Sequence, residues 1–415
     1  MNISIRMNPE LRGTVKLPAS KSISARALIL TALASAPCEA ANLEHKLPGL
    51  SDADDTKALL KALSHPSETI DVGAAGTAMR FLTAYLSLQP GTHLLTGSQR
   101  MKQRPISILV SALRALGADI SYAEEEGFPP LLIKGKPLRS GTIRISASVS
   151  SQYVSALLMI APTLPDGITL RLDGTVASRP YIDMTLALMR QFGADAEWTN
   201  ENTVRVKSAT YRLPEGFSVE ADWSAASYWY EMVALSPDPD AEILISGLQS
   251  DSLQGDSRIA DLFIPLGVAT TFTSEGVVIT KRPPTTTPLA LDLTGQPDLA
   301  QTLCATCAML QRPFTFSGLS SLRIKETDRT AALLNELQKL GSRLEAVGDD
   351  VVRFFPTTAQ PEDRPIISTY EDHRMAMAFA PCAYRFPGLT IENPEVVSKS
   401  YPDFWHELSN FADIR

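Results

Sequence analysis

A chain of 415 residues predicts two or three domains, or one large repetitive one, at roughly 100–200 residues per domain. Its 44% apolar residues and near-zero mean hydropathy supply ample core and exclude wholesale disorder. A net charge of −8 disfavours sequence-nonspecific binding of nucleic acid, so any anion must be met by local clusters of Lys and Arg. The first twenty residues, MNISIRMNPELRGTVKLPAS, alternate like a strand and lack the apolar segment of a secretory signal. Ser20 or Ser22 then opens a helix to about Ser35, Asp52 opens another, and Thr77 a third that ends near Leu88. Ser148 or Ser150 precedes SQYVSALLMIAP, Asp222 precedes WSAASYWYEMVAL, and Pro297-Asp298 begin DLAQTLCATCAML. Two more helices follow at about Glu371–Tyr384 and Pro402–Phe411.

Four further helices share one grammar: an amphipathic run, an apolar residue, Gly, then a strand-like run. Their glycines are Gly117, Gly193, Gly267 and Gly341, at intervals of 76, 74 and 74 residues. Glycine past the last turn supplies the left-handed conformation that closes a helix, and the regular interval argues for a duplicated unit. Twelve helices at two per unit make six units. Short β-branched strands lie between them, among them TIRIS, GITLRLDG, TVRVKS, AEILISG and GVVITK. This alternation predicts an α/β architecture. The turn-rich stretch Ser236–Asp240 puts the strongest candidate boundary near 220–240, dividing the units three and three, with a cleft between two similar domains.

No stretch reaches the ~20 apolar residues of a membrane span. Cys38, Cys304, Cys307 and Cys382 are too few and scattered for a disulfide framework, which fits a reducing cytoplasm. Cys304-x-x-Cys307 sits in an apolar run with no second pair, so it is expected to pack in the core rather than bind zinc.

Six motifs hold the residue types that meet anions. Lys21-Ser22-Ile23-Ser24-Ala25-Arg26 combines a helix start, with its unpaired amides, and two cations. Gly73-Ala74-Ala75-Gly76-Thr77 is a small-residue loop leading into a helix, and Ser150-Ser151-Gln152 puts hydroxyls and an amide at another start. An ordinary N-cap with solvated neighbours explains each of these alone as well. Lys325-Glu326-Thr327-Asp328-Arg329 is expected to open a helix with Glu326 and Arg329 on one face. Glu371-Asp372-His373-Arg374 concentrates charge before an apolar helix, and Ser398-Lys399-Ser400-Tyr401-Pro402 is too generic to read by itself.

Together and in order, KSISAR, GAAGTAMRF, QRP at 103–105, SVSSQY, SRPYID at 178–183, Pro297-Asp298, IKETDR, DHRMAMAFA and SKSYPDF resemble the 5-enolpyruvylshikimate-3-phosphate synthases, within the enolpyruvyl transferases. The likeness runs from Lys21 to Lys399. It implies a two-domain inside-out α/β barrel of six βαβαββ units, three in residues 20–221 and three in 1–19 plus 222–415. The implied reaction moves the enolpyruvyl group of phosphoenolpyruvate to the 5-hydroxyl of shikimate 3-phosphate through a tetrahedral intermediate, with phosphate released. Domain closure over the site is implied as well.

By the same resemblance Asp298 takes the hydroxyl proton, and Glu326 with Lys21 manages the proton at the methylene carbon. Lys21, Gly76, Arg104, Gln152, Arg329, Arg374 and Lys399 would bind phosphoenolpyruvate, with Arg329 and Arg374 on its carboxylate. Lys21, Ser22, Arg26, Ser150, Ser151, Gln152, Ser178, Asp298, Ser321 and Lys325 would bind shikimate 3-phosphate. The expected protein is a cytoplasmic monomer with no metal or organic cofactor, no nucleic acid and no membrane. Three positions depart from the commonest pattern: Ala25 and Ala74 stand where Asn is usual, and Ser321 where a substrate-contacting Asn is frequent. None removes an acid, a base or a core cation, while Ala74 bears on affinity for phosphoenolpyruvate and its mimics. Two rivals stand beside this reading. A sister enzyme acting on a UDP-amino sugar is disfavoured by Ser22, where Asn is its usual residue, and by the lack of Cys in residues 39–303. An inactive anion-binding repeat protein would make Asp298 and Glu326 coincidental.

Overall fold

A computed structural model describes residues 2–35, 43–65, 67–146, 150–174, 176–356 and 359–415. Cys38 and Ser148, named above, lie outside them. Contacts divide the chain into two compact units, one of Met1–Pro18 with Glu220–Arg415 and one of Ala19–Val219.

The larger unit holds three four-stranded sheets. In one, Leu289–Asp292 pairs in parallel with Phe314–Ser317, which continues antiparallel into Val351–Phe354 and Leu344–Val347. The helices Ala300–Met309 and Arg329–Lys339 fall between these strands in the chain, so the order is β-α-β-α-β-β. In a second sheet Arg12–Lys16 lies parallel to Glu242–Ser246, which is followed by Gly276–Lys281 and Val268–Thr273. In the third, Asn2–Met7 runs antiparallel between Leu389–Glu392 and Ala412–Ile414. The N-terminal strand thus belongs to a sheet built from the far end of the chain. Asp238, in the Ser236–Asp240 turn, accepts a hydrogen bond from the Leu11 amide at 3.2 Å within this unit.

The unit Ala19–Val219 repeats the pattern in two sheets, Gly141–Ser146 beside Ile168–Asp173 and Thr69–Asp71 beside Gly91–Thr96, each extended by an antiparallel hairpin. Five such sheets occur among the described residues. A sixth repeat, expected around the helix Lys21–Ala34, runs into residues 36–42, which are not among them.

The core explains why helices and sheets take these places. Trp223–Leu235, Ala300–Met309 and His373–Phe379 are buried along almost their whole length, and so are Lys21–Ala34, Gly76–Leu86 and Ser151–Ile160 in the other unit. Helices apolar all round must be enclosed, so they form the centre and the half-apolar sheets cover them. The amphipathic helices Ser107–Ala115, Arg179–Gln191 and Arg329–Lys339 bury one stripe each. All four repeat glycines have positive φ, between 75° and 97°, as their place at a helix end requires. The third repeat differs, because Pro265 interrupts it after the short helix Ile259–Leu262 and a 3-10 turn completes it. Cys304 and Cys307 are fully buried in the core, where burial raises both thiols. Among the described residues no helix is long and apolar enough to cross a membrane.

Candidate active site

In each unit the N-terminal ends of the buried helices come together, and the charged motifs sit there. In Ala19–Val219, Ser20 caps the first helix by accepting from the Ile23 amide at 3.4 Å. Lys21, the first helical residue, pairs with Asp55 at 3.1 Å. The second helix starts at Gly76, one residue earlier than the sequence predicts, with Ala75 as an N-cap that makes no side-chain hydrogen bond. That leaves its first amides to other partners. A Cβ at Gly76 would lie 2.7 Å from Nη1 of Arg104, so the guanidinium rests against the bare glycine. Ser150 caps the third helix by accepting from the Gln152 amide at 3.3 Å, and the Gln152 amide group donates to Thr77 at 3.0 Å. Loop, serine cluster and QRP segment are tied further by Tyr153 and Arg80, which both donate to the Pro105 carbonyl.

Ser22 is partly exposed, while Ser151 and Ser178 are nearly buried. Ser178 stands before the helix Arg179–Gln191 with φ 54°, a left-handed form uncommon for serine. Arg26 is 2% exposed and donates to Thr185, Ser155 and the carbonyls of Ser22 and Tyr181. It therefore ties three helices together inside the unit. Burial lowers its pKa to about 10.

The other unit gathers opposite charges. The acid of Pro297-Asp298 opens a 3-10 turn ahead of Ala300–Met309. One Asp298 oxygen meets Arg329 at 3.1 Å and Lys325 at 3.4 Å, and the other meets Arg374 at 2.8 Å. Burial alone would raise this carboxyl, but Arg374, Lys325 and Arg329 hold it well below the usual range. Glu326 accepts from Arg329 at 2.9 Å and Lys399 at 3.1 Å. Contrary to the sequence expectation, Glu326 precedes its helix, which runs Arg329–Lys339 with Asp328 as N-cap. Ser321 lies partly buried in the 3-10 turn Ser320–Ile324.

Two residues given no role from the sequence organise this cluster. Asp372 is fully buried and takes Arg329 through Nε at 2.7 Å and Nη2 at 3.3 Å. The same carboxylate caps His373–Phe379 by accepting from the Arg374 amide at 2.9 Å. Tyr228, on Trp223–Leu235, faces Arg374 at 3.4 Å. Asp372 stands within the charged motif Glu371–Arg374, but a sequence does not say which acid answers which cation, and Tyr228 in its apolar run carried no signal. Arg329 is 2% exposed with its nitrogens on three carboxylates.

The family model for EPSP synthase, 3-phosphoshikimate 1-carboxyvinyltransferase, matches residues 5–68 and 56–408. A Bacteroides fragilis protein named 3-phosphoshikimate 1-carboxyvinyltransferase is 52% identical, covering 96% of this chain and 95% of that one. This chain belongs to the EPSP synthase family. An Aliivibrio fischeri member with the same name is 36% identical across 99% of both chains. Among solved structures, the EPSP synthase of Acinetobacter baumannii matches with TM-score 0.75 and 20% identity, covering 100% of this chain and 99% of that one. The enolpyruvyl transferase NikO of Streptomyces tendae matches with TM-score 0.73 and 18% identity over 100% and 98%. The fold is accordingly the inside-out α/β barrel of this family of transferase enzymes, as the motifs implied.

Proposed function

We propose that this EPSP synthase family member transfers the enolpyruvyl group of phosphoenolpyruvate to the 5-hydroxyl of shikimate 3-phosphate and releases phosphate. The observation that carries the reading is the coupling of two acids, Asp298 and Glu326, to four cations within one cluster. Both substrates are multiply charged anions, and their union needs one group to take a proton and another to give one.

In this reading each unit contributes three βαβαββ repeats. Ser22, Ser150, Ser151, Gln152, Ser178, Ser321 and Lys325 hold shikimate 3-phosphate, with Arg26 bracing the helices that carry the serines. Lys21, Gly76, Arg104, Gln152 and Lys399 hold the phosphate side of phosphoenolpyruvate. Arg374 and Arg329 receive its carboxylate in bidentate fashion by exchange, substrate oxygens replacing the bonds that Asp298 and Glu326 make here. The exchange releases both acids at the moment they are needed. Asp298, relieved of part of its cationic surroundings, gains basicity and takes the hydroxyl proton. Glu326 delivers and later removes the proton at the methylene carbon, with Lys21 serving the same step. We place the enzyme in the cytoplasm as a monomer without metal or organic cofactor.

Purified protein given phosphoenolpyruvate and shikimate 3-phosphate should release phosphate, and with UDP-N-acetylglucosamine as acceptor it should not. Release with the sugar nucleotide alone would select the sister activity. Silence with both acceptors would leave an anion-binding protein.

A further inference from the structure

On the face of Arg329–Lys339 that carries Arg329, two turns further along, stands a second buried acid. Glu336 is fully buried. Its Oε1 accepts from the Tyr370 hydroxyl at 2.7 Å, and its Oε2 accepts from the Ser368 amide at 3.1 Å and Lys339 at 2.7 Å. Lys339 also donates to the Ile366 carbonyl at 2.8 Å. One helix therefore grips the segment 366–370 at three points.

The backbone then does something side chains resist. Tyr370 and Glu371 have φ of 55° and 57°, and the Asp372 amide donates to the Thr369 carbonyl at 2.9 Å. That closes a four-residue turn with both central residues left-handed, a form normally built from Asn-Gly or Gly-Gly because a Cβ crowds it. Such backbone persists only where the surroundings over-determine it. The turn leads directly into Asp372, which fixes Arg329, and into Arg374, which meets Asp298. Arg329 and Glu336, seven residues apart, thus hold the segment on either side of the strained turn.

We propose that Glu336 and Tyr370 are positioning residues for the substrate-binding arginines: their bond keeps the Thr369–Asp372 turn left-handed and so sets where Arg374 points. The proposal rests on the reading of Arg374 as a substrate-binding cation given above. When the bond is lost, the turn relaxes toward negative φ, and Asp372 and Arg374 shift together.

The test is steady-state kinetics with both substrates, and thermal melting, for wild type, Tyr370→Phe, Glu336→Gln and the double variant Tyr370→Phe/Glu371→Gly. Tyr370→Phe should raise KM for phosphoenolpyruvate about ten-fold, the value of one hydrogen bond to a charged group, and leave KM for shikimate 3-phosphate near wild type. Glu336→Gln should move the same constant in the same direction. Adding Glu371→Gly should return KM toward wild type, because glycine takes positive φ without strain and the clamp is no longer needed. A lower melting temperature with both KM values unchanged and no rescue would overturn the proposal and leave the reading of Arg374 intact. Wild type without turnover would overturn that reading and the proposal with it. Should Glu336→Gln fail to fold, Tyr370→Phe, at a half-buried ring, decides alone.

Discussion

The two clusters meet anions by different means. In Ala19–Val219 the positive character comes from helix starts, hydroxyls, Lys21 and Arg104, and Lys21 pairs with Asp55. In the other unit three carboxylates, Asp298, Glu326 and Asp372, interleave with Arg329, Arg374, Lys325 and Lys399. A phosphate needs donors that stay put, which amides and capped hydroxyls provide. Proton transfer needs acids whose basicity can change on binding, and that requires cations able to move from acid to substrate. On the proposed reading the first cluster mainly anchors, with Lys21 its one part in proton transfer, and the second holds both acids beside cations that also bind substrate.

The strongest way to break that assignment is Glu326→Gln. Loss of a positioned acid–base group should lower kcat by about 10²–10⁴-fold while substrate KM values move little. A kcat within a few-fold of wild type by phosphate release would remove Glu326 from the chemistry. Next in size is Asp372→Asn, which leaves a buried guanidinium with part of its charge unanswered. It should cost about 3 kcal/mol in urea unfolding, and no measurable loss would contradict its role as the hub.

The smallest effect concerns pH. Burial, with the carboxylate of Asp298 beside it, pushes Asp256 up to about 6. Between its unfolded value of 3.8 and about 6 the folded state holds more protons than the unfolded one, so stability falls as pH rises through this window. Asp256→Asn should therefore stabilise the protein at pH 8 by about 1–3 kcal/mol, and the gain should vanish toward pH 4. A gain independent of pH would show that it does not come from the titration of Asp256.

Much of this was legible where local rules act. The glycines at 117, 193, 267 and 341 closed their helices as the interval predicts, and Ser150 and Asp222 proved to be caps because a hydroxyl or carboxylate before an apolar run has little else to do. Pairings set by distant chain were not legible. Ile5 pairs with Leu389 and Ile414, and nothing near residue 5 announces it. Arg26 read as a basic residue beside a helix start, yet a cation's direction depends on which helices pack against it. Asp55 and Glu336, and the partner of Asp372, stayed hidden for the same reason. The left-handed turn at Tyr370-Glu371 was hidden because it lacks the Asn or Gly that would mark it.

The most direct test compares one variant from each cluster under the same kinetic assay. Gly76→Ala puts a methyl where Arg104 now rests, so KM for phosphoenolpyruvate should rise about ten-fold, with kcat near wild type at saturation. Asp298→Asn removes the proposed base and one carboxylate shared by Arg329, Arg374 and Lys325, so kcat should fall at least ~10²-fold while KM stays level or drops. That crossed pattern is the predicted result. Equal losses of kcat and KM in both variants would contradict the division between anchoring and chemistry.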